Sequence, residues 1–386
     1  MSEWKEYKLG DIAEKIGDGL HGTPIYSEDG EYYFINGNNL LNGKISIKKE
    51  TKKVTKSEYE KHKKPLSRNT ILLGINGTIG NLAFYNEEKC VLGKSACYIN
   101  ISSKIDKFFI YYKMLSKEFQ STLLEISTGT TIINVPLKGL RDIPILLPPL
   151  AEQKAIAGVL SALDDKIDML HRQNKTLEAM AETLFRQWFV EEAEESWEEG
   201  KLGDIIDFNP LRSLSKGSIA PYLEMSNVSS SSFQPEGWYD REFSSGMKFR
   251  NGDTLLARIT PCLENGKSCY VTFLESDQIG WGSTEFIVMR SKNEIHPLMT
   301  YALAINKDFR DYAEGCLEGS SGRQRVNLDH LKEYNILIPK SFSIFNENME
   351  SLEGKLHINF LQILSLEKLR ETLLPKLMSG EVRVEV

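Results

Sequence analysis

The chain has 386 residues, of which 41% are hydrophobic and 26% charged, and a formal net charge of −7. These are ordinary fractions for a soluble protein with room for two or three cores. No run of 18 apolar residues could span a bilayer. The opening Met1–Lys8 stretch has no apolar centre, so no signal peptide is expected. Five scattered cysteines without a C-x-x-C spacing exclude a zinc ribbon and fit reduced thiols in a cytoplasmic protein. Net acidity argues against a wholly basic DNA-binding surface, but the charge is uneven. Residues 1–150 hold 21 basic against 17 acidic side chains, whereas residues 151–196 hold 5 against 10. Much of the stretch Lys44 to Lys64 is basic. Because screening acts over ~8–10 Å, the local patch counts rather than the total.

In chain order, residues 1–150 read as α/β with short strands at Thr70–Ile75 and Cys97–Ile101. A helix is expected over Phe108–Glu125, with Phe109, Tyr112, Leu115, Phe119 and Leu123 on one face. Residues 151–190 contain no proline and read as one long helix. Its apolar seam alternates by four and three through Ile156, Leu160, Leu163, Ile167, Leu170, Asn174, Leu177, Ala181, Leu184 and Trp188, a coiled-coil heptad pattern. Glu191–Glu199 is an acidic linker. Residues 197–340 return to α/β, with strands at Asp253–Ile259 and Glu285–Met289 and a helix at Tyr301–Glu314. A second long helix is expected over residues 342–378, its seam running Phe345, Met349, Leu352, Leu356, Asn359, Ile363, Leu366, Arg370, Leu373, Leu377.

The two halves are copies. Trp4–Ile12 (WKEYKLGDI) returns as Trp197–Ile205 (WEEGKLGDI), an offset of 193. Leu140–Pro148 returns as Leu331–Pro339, and Leu177–Leu184 as Leu366–Leu373. Two similar units imply pseudo-two-fold symmetry. The flanks repeat while residues 17–127 and 207–318 diverge, as expected of one scaffold presenting two recognition surfaces.

Motifs for catalysis fail on spacing. Gly17–Gly22 matches G-x-G-x-x-G, but Thr23-Pro24 follows where a dinucleotide site needs a helix, so a turn is expected. Gly93-Lys94-Ser95 and Gly266-Lys267-Ser268 lack the earlier glycine of a phosphate loop, with Glu88 and Pro261 in its place. The Leu147-Pro148-Pro149-Leu150 run cannot orient a base amine for methyl transfer, and the six histidines show no zinc-site spacing. No catalytic, cofactor or metal residue is therefore assigned. What remains is a set of polar loop residues suited to base edges or phosphates: His21, Thr23, Asn36, Asn38, Asn39, Lys94, Thr130 and Thr131 in the first half, and Asn227, Arg258, Arg323, Gln324 and Arg325 in the second.

K-L-G-D-I opening each half, Ile143–Ile156 (IPILLPPLAEQKAI), Thr372–Val382 (TLLPKLMSGEV) and Gly19–Tyr26 (GLHGTPIY) carry a resemblance. With these stretches the whole chain resembles the specificity subunits of type I restriction–modification systems. The resemblance implies an α+β chain with target-recognition domains at 1–150 and 191–341, each reading half of a split DNA sequence. Between them, spacer helices at 151–190 and 342–386, the latter with a C-terminal tail, would pack antiparallel. It further implies partner subunits that carry adenine-N6 methylation with S-adenosylmethionine, and restriction subunits using ATP and Mg, with no cofactor on this chain. A stand-alone DNA-binding regulator and a coiled-coil adaptor without DNA binding are the alternatives.

The seams also set a register. They coincide at an offset of 189, so an antiparallel symmetric pair joins residues whose numbers sum to 533. Asn174 then meets Asn359, Trp188 meets Phe345, and Arg370 falls opposite Leu163, from where its guanidinium is expected to snorkel to solvent. A one-heptad slip would set each asparagine against an apolar residue, at about 1–3 kcal/mol per unpaired amide. The segment Ile156–Trp188 would be about 50 Å long at ~1.5 Å per residue, enough to hold two readers a DNA turn of ~34–36 Å or slightly more apart.

Overall fold

A computed structural model describes residues 4–129, 133–191, 197–230, 232–292, 294–320 and 322–385. The chain forms two compact units, one from Met1–Lys166 with Leu366–Val386 and the other from Ile167–Ser365. This division cuts both long helices near their middles instead of following the four expected segments. The helices span Leu150–Arg186, with a wider turn at Gln187–Glu191, and Ser343–Ser379. The physical reason for the cut is burial. In the first unit Ile156, Ala157, Leu160, Leu377 and Met378 share a core with Ile71, Ile99, Phe109 and Leu123. In the second, Ala181, Phe185, Phe189, Phe345, Met349 and Leu356 share one with Leu202, Leu256, Ile287 and Tyr301. Each half-helix is thus a wall of its own unit. Among the described residues no helix is long and apolar enough to cross a membrane.

The units are built alike. The first has a four-stranded sheet in the order Ala13–Asp18, Ala96–Ile101, Thr70–Gly74, Leu82–Phe84. The second repeats it as Ile206–Phe208, Phe286–Ser291, Thr254–Ala257, Ser268–Tyr270. A further sheet in each contains one parallel pair, Tyr32–Ile35 with Cys90–Leu92 and Ile219–Leu223 with Gly280–Gly282. The repeated flanks pair at the ends of each unit, Lys5–Lys8 with Pro144–Leu147 and Glu198–Lys201 with Asn335–Ile338. The stretches with diverged sequence therefore keep a common topology.

The helix expected over Phe108–Glu125 is two helices, Lys107–Leu115 and Lys117–Glu125. Ser116 adopts an extended conformation (φ −62°, ψ 145°) and its side chain accepts from the Phe119 N–H. The second unit breaks in the same place, at Asn306 between Leu298–Ile305 and Lys307–Gly315, with Asn306 accepting from the Phe309 N–H. A short polar residue that caps the next helix competes with the backbone for its own turn, which apolar periodicity does not register.

Within the second unit, Asn359 Nδ2 donates to Asn174 Oδ1 at 2.8 Å, with Asn359 fully buried and Asn174 7% exposed. The Trp188 and Phe345 rings lie 5.9 Å apart. Both contacts fit the register sum of 533. Within the first unit Arg370 departs from expectation. Instead of reaching free to solvent it donates to Asp164 Oδ1 at 2.7 Å, and Tyr112 donates to Asp164 Oδ2 at 2.7 Å. The helix pair is thereby tied to the body of its unit. In the second unit Glu178 plays a similar part: it accepts from Tyr301 Oη at 2.9 Å and the Phe233 N–H at 3.1 Å. Burial pushes its carboxyl up from 4.5 to about 7 against the opposing effect of those two hydrogen bonds.

Two outcomes are expected. Asn174→Ala strands the Asn359 amide in the core, which costs about 1–3 kcal/mol, and replacing both asparagines by leucine costs less than either alanine substitution alone. Urea unfolding of the single and double variants measures this. The folded chain holds the Glu178 proton more tightly than the unfolded chain does. That contribution to stability is complete below about pH 4.5 and lost as the pH rises through about 7. Melting curves of Glu178→Gln and the unaltered chain should therefore separate in favour of the variant as pH increases across that window.

Candidate nucleic-acid interface

The polar loops of each unit meet at a backbone junction where three chain segments join. In the first unit the Ile75 N–H donates to Ser95 O at 3.0 Å and the Val135 N–H to Ile75 O at 2.9 Å. In the second, the Arg258 N–H donates to Glu285 O at 2.9 Å and the Val326 N–H to Arg258 O at 2.9 Å. Isolated bridges add Asn76 to Asn134 in one and Ile259 to Arg325 in the other. Ile75, Ser95 and Asn134 therefore correspond to Arg258, Glu285 and Arg325. The backbone is shared while the side chains change from neutral to charged.

Around the first junction, Ser95 Oγ donates to Asn36 Oδ1 at 3.0 Å and accepts the Gly37 N–H at 2.9 Å. A Cβ on Gly93 would sit 2.2 Å from Asn36 Oδ1, and one on Gly19 2.2 Å from Leu92 O. These two glycines let the loops close on each other, as close backbone approach requires. The Leu20 N–H donates to Leu92 O at 2.7 Å and brings the next residues beside Lys94. No helix follows Gly22, so the glycine-rich stretch is the end of the strand Ala13–Asp18 and the loop after it. His21 lies exposed with Nε2 2.6 Å from Asp18 Oδ2, and Thr23, Asn38 and Lys94 are exposed. Thr130 and Thr131 lie outside the described residues.

Asn39 is a correction. It is 5% exposed, donates to Ser46 O at 3.0 Å and Thr51 Oγ1 at 3.2 Å, and accepts the Asn36 N–H at 3.0 Å. An amide committed on both sides has no capacity left for a base. Asn227 corresponds to it, is half-buried, and pins its own loop by donating to Gly237 O at 2.9 Å.

Around the second junction, Gln324 and Thr260 exchange bonds, Gln324 N–H to Thr260 Oγ1 at 3.2 Å and Thr260 N–H to Gln324 O at 3.1 Å. The loop before Arg325 is thus zipped to the loop after Arg258. Arg323 is exposed and makes no ion pair among the described residues. Arg258 is half-buried, and its buried Nε has no acceptor among the described residues. Arg325 differs from expectation: Nε and Nη2 grip the Glu285 carboxylate, Nη2 at 2.6 Å, and that pairing raises its pKa further. It is not a free cation.

Four residues that matter here escaped the reading of the sequence: Ser95, Asn81, Lys267 and Glu285. Asn81 Nδ2 donates to Gly37 O at 3.3 Å, and Lys267 Nζ to Met225 O at 2.8 Å, so the two fasten corresponding turns. Two of the four lie in the Gly-Lys-Ser tripeptides that fail as phosphate loops. The available signal was the recurrence of that tripeptide beside a strand. Among the described residues no group of three or more His, Cys, Asp or Glu is placed to hold a metal ion.

The chain matches the type I restriction modification DNA specificity domain at residues 1–179 and again at 194–362, one match to each repeat. It is 27% identical to the MjaIX type I restriction enzyme specificity subunit of Methanocaldococcus jannaschii, over 99% of this chain and 94% of that one. The MjaVIII specificity subunit of the same organism is 23% identical over the same shares. A crystal structure of the S subunit of a type I restriction-modification system from M. genitalium has a similar fold, with a TM-score of 0.56 at 19% identity, covering 97% of this chain and 96% of that one. With its repeats, its topology and both halves of its sequence matching in this way, the chain belongs to the type I restriction modification DNA specificity family.

Proposed function

We propose that each unit reads one half of a bipartite DNA sequence and that the chain directs methyltransferase and restriction subunits to that sequence. The observation that carries this reading is the shared junction with unlike side chains. One unit offers His21, Asn36, Asn38 and Lys94 around neutral Ser95 and Asn134. The other offers Arg258, Arg323 and Gln324 around a charged pair. Arginine pairs bidentately with guanine and asparagine or glutamine with adenine in the major groove, so two such sets select two different half-sites. Joined on one chain, two weak half-sites give one selective site, since binding the first raises the effective concentration at the second. Chemistry belongs to the partners: S-adenosylmethionine, ATP and Mg are assigned to them and none to this chain.

Separable specificity follows. In cells carrying the chain with its methyltransferase, mapping N6-methyladenine should reveal a split motif. Arg323→Ala should relax one half of it by about 1–3 kcal/mol at a single position, and Asn36→Ala or Asn38→Ala the other half only. Simultaneous relaxation of both halves would make these residues general phosphate contacts. Affinity is also expected to be shared. The net charge of −7 opposes approach to the phosphate backbone. Gel shifts at several salt concentrations should show weak binding by the lone chain and affinities in the usual specific range of about 10⁻⁸–10⁻¹¹ M once methyltransferase subunits are added. Tight, selective binding by the lone chain would favour a stand-alone regulator, and no salt-dependent binding in either form would favour an adaptor.

A further inference from the structure

The geometry points to Glu285 as a positioning residue that withholds Arg325 from the phosphate backbone, leaving Arg258, Arg323 and Gln324 as the side chains with which the second unit contacts DNA. This rests on the DNA-reading role proposed above and assigns a division of labour within it.

Arg325 and Glu285 meet fork to fork, Nε at 3.1 and 2.9 Å from the two carboxylate oxygens and Nη2 at 2.6 Å from Oε1. An exposed ion pair is ordinarily worth about 0–1 kcal/mol, because ordering two long side chains offsets the attraction. Here both ends are fixed beforehand. The Glu285 carbonyl accepts the Arg258 N–H at 2.9 Å and its own N–H donates to Ser283 Oγ at 3.1 Å. Arg325 is paired through its backbone to Glu318 on one side and bridged to Ile259 on the other. The Glu285 side chain is 23% exposed against 46% for Arg325, so the carboxylate is the better shielded member. A planar guanidinium held bidentately is the strong form of such a pair.

The pair is not demanded by the scaffold. The corresponding junction in the first unit closes with the same backbone bonds around Ser95 and Asn134, which carry no charge. Nor does the carboxylate serve every nearby cation, because Arg258 makes no ion pair among the described residues and its buried Nε lacks an acceptor. The consequence is electrostatic. Arg325 with Glu285 presents no net charge, and a phosphate approaching the guanidinium meets a carboxylate already bound to it. Sequence-independent attraction falls while the loop holding Arg323 and Gln324 stays in place. Each phosphate neutralised adds about 0.9 to the slope of log K against log salt, so the withheld contact can be counted.

The experiment is fluorescence anisotropy of the full-length chain assembled with its methyltransferase subunits on a random-sequence DNA duplex across a salt series, for the unaltered chain and for Arg325→Ala, Glu285→Gln and the Glu285→Gln, Arg325→Ala pair. Arg325→Ala should leave the slope unchanged. Glu285→Gln should steepen it by about 0.9, and the double variant should return it to that of the unaltered chain. A structural role alone would lower folded protein without steepening the slope. Flattening of the slope by about 0.9 in Arg325→Ala, or an unchanged slope in Glu285→Gln, overturns the assignment while leaving the DNA-reading role intact. A salt-independent signal for the complex carrying the unaltered chain overturns that role itself.

Discussion

The constraint on which the structure depends is the apolar seam of the two long helices, which must be covered along its whole length. Neither helix can do this alone. The outer seam positions of each helix are buried in the core of one unit, Ile156, Leu160 and Leu377 in the first and Ala181, Phe345, Met349, Leu352 and Leu356 in the second, together with the sheet and short helices of that unit. The helices are therefore parts of the recognition bodies as much as spacers, and the compact units cross the boundaries that helix periodicity suggests.

Polar groups set the details of that burial. Asn174 and Asn359 bond to each other at 2.8 Å inside the second unit. A lone amide at that depth would lose its solvation without return, so the pair specifies one alignment over its neighbours. Carboxylates on the first helix do related work against the bodies: Asp164 collects Tyr112 and Arg370, and Glu178 collects Tyr301 and the Phe233 N–H. These contacts define which face of the helix each body grips, a choice that apolar packing alone leaves loose.

The junction at the proposed reading surface separates two requirements that usually conflict. Backbone bonds hold the three segments, and these are available to any sequence. Side chains at Ile75, Ser95 and Asn134, or at Arg258, Glu285 and Arg325, are then free to change without loss of the scaffold. Divergence between the repeats is concentrated where the structure tolerates it, and the two surfaces differ in charge, not just in shape.

The duplication, the two long helices and their register are legible along the chain, because repeats and heptads are linear patterns that survive without knowledge of neighbours. The K-L-G-D-I and closing flanks carried the family. Tertiary structure alone decided the rest. The breaks at Ser116 and Asn306 come from capping side chains inside an apolar period. The partner of Arg370 is Asp164, beside the Leu163 expected opposite it, and Tyr112 from a helix distant in sequence binds the other oxygen of that carboxylate. Asn39 looked like a reader until burial showed its amide to be spent within the loop. Arg325 looked like a free cation until the fold brought Glu285, 40 residues away, against it. Hydrogen-bond capacity and charge are properties of pairs, and pairs distant in the chain exist only after folding.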